Sequence, residues 1–235
     1  MNDYVDLHTH TIASGHAYST IEAMIKAAEQ KGIRLFGITE HAPKMPGTCS
    51  ELYFNNLRVL ERKHAELNIM DMEGHVDLPE RTLKQMDLCV ASMHGPCFHP
   101  GTIEENTKTY LNVMKNPYVN IIGHPDDSYY LVDYRALVEG AKEHHVLLEV
   151  NNGSLTPGGF RQNTKENSCK MLELCKEYKV PVIMDSDAHV DTAVGNHQYP
   201  LEVVQMVDFP EELVVNTNVE LAKSFLNYFK SPEQL

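Results

Sequence analysis

Short apolar runs alternate with amphipathic helical patterns along most of this chain, and that alternation restricts its possible folds more than any other feature. The runs are Asp3 to His10, Ile33 to Thr39, Arg62 to Ile69, Leu88 to Met93, Val119 to Ile122, Val146 to Val150 and Val182 to Met184. They read as strands of a parallel sheet, although residues 62–69 suit a continued helix equally well. Helical segments separate them. Ser19 is placed to cap the first, with Glu22 three positions on, Ile21, Ile25 and Ala28 along one face and Gly32 at the end. Thr102 with Glu105 opens another, and Asp133 opens a helix faced by Tyr134, Leu137, Val138 and Ala141. A helix over Ser168 to Tyr178 and a last one capped by Thr217 with Glu220, running towards Phe229, complete the pattern. With no internal repeat or linker, residues 1–235 are expected to form one α/β domain, a barrel of parallel strands.

Polar residues collect where those strands end. His8 and His10 close the first, His41 the second and His94 the fourth, while His124 and then Asp187 with His189 close later ones; Glu66 lies in the ambiguous segment. Residues i and i+2 of a strand share a face, so His8 and His10 form a chelating pair. A lone His-x-His is more often two solvated histidines on an edge strand. In a parallel barrel, however, strand C-termini converge on one rim, and core packing gives no reason for imidazole there repeatedly. A polymetal site is therefore expected. Imidazole and carboxylate donors without thiolate suit zinc, iron or manganese. The donors exceed what one tetrahedral ion with an open position uses, which points to a cluster with a bridging carboxylate. Such a cluster lowers the pKa of a water, so that hydroxide exists at neutral pH, and clamps phosphoryl oxygens.

Composition narrows the partners. A formal charge of −13 argues against stable binding of nucleic-acid backbone phosphates, so an anionic substrate has to be drawn in locally, by cations or a few basic groups. Five cysteines without Cys-x-x-Cys spacing read as reduced thiols. There is no apolar run long enough for a membrane span and no visible signal peptide, so the expected location is cytoplasmic. A homo-oligomer is left open.

The chain resembles the PHP (polymerase and histidinol phosphatase) superfamily, and within it the bacterial YcdX-type phosphatases. The likeness covers nearly the whole chain and rests on seven segments in order. They are residues 6–10 (DLHTH), 13–19 (ASGHAYS), Thr39-Glu40-His41, His94-Gly95-Pro96, residues 122–125 (IGHP), Glu149-Val150-Asn151-Asn152 and residues 186–189 (SDAH). The resemblance implies a distorted TIM-like (β/α)7 barrel of mainly parallel strands with three divalent metal ions, zinc foremost. It implies one ion on His8, His10, Glu66 and Asp187, a second sharing Glu66 with His94 and His124, and a third on His16, His41 and His189. His16 enters only through this likeness. Glu61 and Glu73 are alternatives to Glu66 as the bridge.

Asp187, Glu66 and Arg161 are the residues expected to carry catalysis. Arg161 and Lys165 follow the sixth strand in a Gly-rich loop, where a guanidinium could pair with two phosphate oxygens. Asn151, Asn152, Asp6 and Glu40 are candidates to contact substrate or orient ligand histidines. His64, His75, His99, His144, His145 and His197 read as surface or loop residues. The expected function is a phosphoesterase that hydrolyses a small phosphorylated metabolite or nucleotide with metal-held hydroxide. The rivals are an amidohydrolase-type deaminase or amidase and a non-catalytic metal-binding regulatory domain.

Overall fold

Short parallel strands form the centre of the protein, seen in a computed structural model that describes residues 1–60, 63–64, 67–71 and 78–231. The strands are β1 (Val5–Asp6), β2 (Leu35–Ile38), β3 (Lys63–His64), β4 (Leu67–Asp71), β5 (Val90–Ala91), β6 (Ile121–Ile122), β7 (Leu147–Asn151) and β8 (Val182–Asp185). The helices are α1 (Ile21–Gln30), α2 (Glu51–Asn56), α3 (Glu80–Leu83), α4 (Ile103–Met114), α5 (Tyr134–His144), α6 (Asn152–Leu155), α7 (Thr164–Tyr178), α8 (Gln198–Met206) and α9 (Val219–Lys223). No described helix is long and apolar enough to cross a membrane.

Two four-stranded sheets result, ordered β1-β2-β4-β3 and β5-β6-β7-β8. All pairings are parallel except β3 with β4. The expected third strand is thus split. Its first part turns back on Leu67–Asp71, and that second part makes the parallel pairing with β2.

The sheets meet at one seam. Thr9 bridges to Ala188 in parallel, with His10 N–H donating to the Ala188 carbonyl at 2.8 Å. Below that bridge the carboxamide of Asn216 takes the place of a ladder. It donates to the Val5 and Met184 carbonyls at 2.7 Å each and accepts the Met184 N–H at 2.8 Å. Inward side chains from both sheets, Val5, Leu7, Leu35, Val90, Ile121, Leu147 and Ile183, share one apolar cluster closed at its end by Phe225 and Leu226. Each such buried aliphatic side chain contributes about 1.5–3 kcal/mol relative to exposure. A larger cluster lies where α4, α5, α7 and α8 pack on the second sheet, and a smaller one lies against α1.

The helix boundaries follow their caps. The Thr102 and Glu105 reciprocal bonds form at 3.2 and 2.8 Å, and the Asp133 carboxylate accepts from Arg135 N at 2.9 Å. Two expected caps shift by one residue. Thr20, not Ser19, accepts from Ala23 N, which frees Ser19 Oγ to accept the Asp191 N–H at 3.0 Å. Asn218, not Thr217, caps α9, and that helix stops at Lys223 rather than continuing to Phe229. In both places two capping residue types are adjacent, and neighbour contacts decide between them.

Candidate metal centre

The ends of β1, β2, β5, β6 and β8 carry His8 and His10, His41, His94, His124, and Asp187 with His189 to one mouth. His16 comes from the turn after Ile12–Ser14. That turn closes through Gly15, at φ +80°, where an added Cβ would lie 2.2 Å from the Gly47 carbonyl oxygen; only glycine allows so close an approach. Two site residues hold left-handed backbone without being glycine: His124 at φ 32° and Asp187 at φ 54°. Such conformations cost about 1–3 kcal/mol and cluster where a side chain must be aimed.

The imidazoles face one another. The His10 ring centroid lies 4.3 Å from His41 and 4.4 Å from His189, and His8 lies 5.0 Å from His10. His94 is 4.9 Å from His124 and 5.0 Å from His41. His16 Nε2 is 3.1 Å from both His41 Nε2 and His189 Nε2. Asp187 Oδ1 lies 3.3 Å from His10 Nε2 and 3.6 Å from His8 Nε2. Among the described residues two groups fall within reach of a shared ion, His8 with His10 and Asp187, and His10 with His41 and His189.

A second layer sets which ring nitrogens face inward. Glu149 accepts from His8 Nδ1 at 2.6 Å, and its other oxygen accepts the His124 backbone N–H at 2.5 Å. Ser14 Oγ donates its one proton to Glu40 at 2.6 Å and therefore accepts from His10 Nδ1, at 3.1 Å. His189 Nδ1 donates to the Asp187 carbonyl at 2.9 Å. In all three histidines the Nε2 lone pair is then presented to the mouth. Asn151 also acts here: its amide reaches Glu149 at 3.0 Å and Asp187 Oδ2 at 3.3 Å. Asn152 does not, as its oxygen accepts the Tyr199 N–H at 3.2 Å.

Electrostatics keep the donors in ligand form. Burial pushes His41 down to about 4, and burial together with neighbouring imidazoles pushes His10 and His16 down. Burial and the Arg161 charge lower His124 well below the usual range. For Asp187 burial acts upward, but His8, His10 and Arg161 outweigh it and hold the carboxyl well below its ordinary value.

Asp6 and His197 buttress the β8 end. Asp6 accepts from Ser186 N at 3.0 Å, Ser186 Oγ at 2.6 Å and Gly195 N at 2.7 Å, fixing the residue before Asp187. His197, expected at the surface, is buried, with Nδ1 2.5 Å from Asp3 and Nε2 3.7 Å from Asp6. Burial lowers its pKa, but the two carboxylates prevail and raise it to about 10. Asp185 is a further buried acid. Burial, Glu149 and Asp6 push it well above the carboxylate range, and it accepts the Leu7 N–H at 2.6 Å. Neither His197 nor Glu149 was assigned a role from sequence. A charged residue inside the apolar run Val146 to Val150 was the available signal for Glu149, since such a group must be paired.

Arg161 Nη1 stands 3.5 Å from Asp187 Oδ2, with its guanidinium 5.1 Å over the Phe160 ring. Lys165 is exposed on the first turn of α7. Glu66, with its alternatives Glu61 and Glu73, lies outside the described residues, as does His75. His99 is exposed, and His145 stacks on Phe225 at 3.9 Å. A cavity of about 700 Å³ opens beside the cluster, its lining including His16, His94, Arg161, Tyr129, Tyr130 and Phe160.

The donor set fits divalent metal ions. The Nε2 atoms of His10 and His124 are buried and make no hydrogen bond among the described residues, a loss of about 1–3 kcal/mol each unless another partner serves them. Three mutually facing Nε2 atoms, on His16, His41 and His189, cannot all be satisfied by exchanging protons.

Known proteins resemble this chain over most or all of its length. A probable phosphatase of Clostridium novyi is 42% identical over 243 residues, covering 100% of this chain and 98% of that protein. One from Clostridium acetobutylicum is 41% identical over the same coverage. Among solved structures, the histidinol phosphate phosphatase of Lactococcus lactis, complexed with zinc, L-histidinol and phosphate, superposes with a TM-score of 0.63. It is 14% identical over 88% of this chain and 95% of that one, which is a likeness of fold. The family model of the PHP domain matches residues 6–221, and the chain belongs to that family.

Proposed function

We propose that the protein is a metal-dependent phosphomonoesterase acting on a small phosphorylated metabolite or nucleotide. The observation that carries this reading is the convergence of His8, His10, His16, His41, His94, His124 and His189 around Asp187 at one mouth. Three divalent cations, zinc foremost, would be held by His8, His10, Glu66 and Asp187, by Glu66, His94 and His124, and by His16, His41 and His189. Cations bound there supply Lewis acidity towards a phosphoryl group and lower the pKa of water.

The chain's own residues do the rest. Glu149 and Ser14 fix the His8 and His10 tautomers, and Asp187 stays ionised as an acceptor aimed by its strained backbone. Arg161, already beside Asp187, offers a planar pair of donors to the phosphate oxygens. The adjoining cavity receives the remainder of the substrate. The shared apolar cluster of both sheets and the Asn216 seam support closure into a distorted (β/α)7-type barrel, in one domain over residues 1–235. A cytoplasmic location, in which the cysteines stay reduced, belongs to the same proposal.

Purified protein loaded with zinc, iron or manganese is expected to hydrolyse a simple aryl phosphate, to lose activity with a chelator and to regain it with metal. Absence of turnover across a broad phosphoester panel with every metal would overturn the reading.

A further inference from the structure

The cavity beside the cluster has a composition that goes beyond what holding phosphate requires. Its outer wall is aromatic and apolar: Tyr129, Tyr130 and Phe160, with Met45 and Met93. Phe160 is 84% exposed and Tyr129 49% exposed, so both rings keep open area towards a bound molecule. A cation–π contact favours one placement of Phe160, with the Arg161 guanidinium 5.1 Å over its ring, and the same guanidinium reaches Asp187. The ring therefore stands beside the group that faces the phosphate end of the site. Tyr130 is held, its hydroxyl donating to the Phe98 carbonyl at 2.9 Å and its ring packed edge-on to Tyr129 at 4.9 Å.

The polar groups of this wall are few and of a particular kind. Gln162 lines the cavity with an exposed carboxamide, able to donate and accept along one edge. Asp127 is the one carboxylate lining it among the described residues, and it accepts the Tyr129 and Gln162 N–H groups at 3.0 Å each. A negative charge there, on a chain of net charge −13, repels a second phosphate or a carboxylate on the bound molecule.

We infer that this cavity binds the alcohol portion of the substrate and that the substrate class is a nucleoside monophosphate. Its flat, uncharged base stacks on Phe160 and Tyr129 and presents a hydrogen-bonding edge to Gln162. The volume of about 700 Å³ accommodates a nucleoside and far exceeds what a phosphate needs. Stacking on such rings is tolerant of base identity, so the expected preference is for nucleotides as a class. This inference rests on the phosphomonoesterase reading for its chemistry but not for its binding.

Two measurements on the full-length, metal-loaded protein test it. In turnover, a purine nucleoside 5′-monophosphate is expected to exceed glucose 6-phosphate and glycerol 2-phosphate in kcat/KM by about tenfold or more, as one to two stacking contacts allow. A nucleoside diphosphate is expected to be the poorer nucleotide. In Phe160→Ala and Tyr129→Ala the nucleotide-to-glycerol-phosphate ratio falls towards parity, chiefly through KM. In calorimetry, the monophosphate is expected to bind at least about tenfold more tightly than inorganic phosphate, a margin lost in Phe160→Ala. Aryl phosphate turnover without nucleotide preference, or a ratio unchanged in both variants, overturns the nucleotide inference and leaves the phosphoesterase reading standing. Tight, Phe160-dependent nucleotide binding without hydrolysis of any ester does the reverse.

Discussion

Glu149 and His8, 141 residues apart in the chain, share a buried hydrogen bond of 2.6 Å. The carboxylate fixes the proton on Nδ1 and leaves Nε2 for a cation. Glu149→Gln is therefore expected to weaken metal binding about 10- to 100-fold, the usual cost of losing such an outer partner. Competition with a chromogenic chelator measures this, and unchanged affinity would show that the pairing serves packing alone.

Gly15 controls where His16 sits. Gly15→Ala places a methyl 2.2 Å from the Gly47 oxygen at a φ of +80°, so the turn must move and carry His16 away from His41 and His189. The expected outcome is a drop in bound metal relative to the unaltered protein, read by elemental analysis, with the circular dichroism spectrum retained.

Arg161→Ala removes a guanidinium that stands beside Asp187 and faces the cavity. Loss of charge-assisted bonds worth about 1.5–3 kcal/mol corresponds to a fall in kcat/KM of about 10- to 150-fold. Metal content should be unaffected, which separates this from damage to the cluster.

The metal-free protein should show a stability maximum near neutrality. His41 has a folded pKa near 4 against an ordinary 6.5, so the unfolded chain binds more protons between those values, and stability falls as pH drops through that window. For this one group the loss approaches about 3 kcal/mol at the acid end, with His10, His16 and His124 acting in the same direction. His197 acts oppositely. Its folded value near 10 gives stability that is complete below 6.5 and is lost as pH rises towards 10. Thermal melts in chelator from pH 5 to 10 should trace both limbs, and His197→Gln should flatten the alkaline one. An alkaline limb unchanged in that variant would contradict the Asp3–His197–Asp6 pairing.

How far the sequence carries depends on whether a residue's role is local. Histidines at the ends of parallel strands could be read directly, because strand direction alone brings those ends together. Asp6 and Glu40 were readable as acids beside them. His16 sits in a turn with no periodicity and needed the family likeness. His197 was not readable, since its partners Asp3 and Asp6 lie about 190 residues earlier and nothing in its own neighbourhood marks it as buried. The split of the third strand arises from pairing between residues 63–64 and 67–68, a choice that propensity does not make. The exchange of Ser19 for Thr20 as a cap depends on the Asp191 N–H, which comes from a loop at the far end of the chain.

The carboxamide of Asn216, 211 residues after Val5, joins the first strand to the last, and its partner atoms lie just beneath the donors on both strands. During synthesis the amino-terminal donors emerge long before anything can pair with them. Not until the segment through Asn216 has left the ribosome can its carboxamide join β1 to β8, so the two halves of the candidate mouth are brought together by one of the longest loop closures among the described residues.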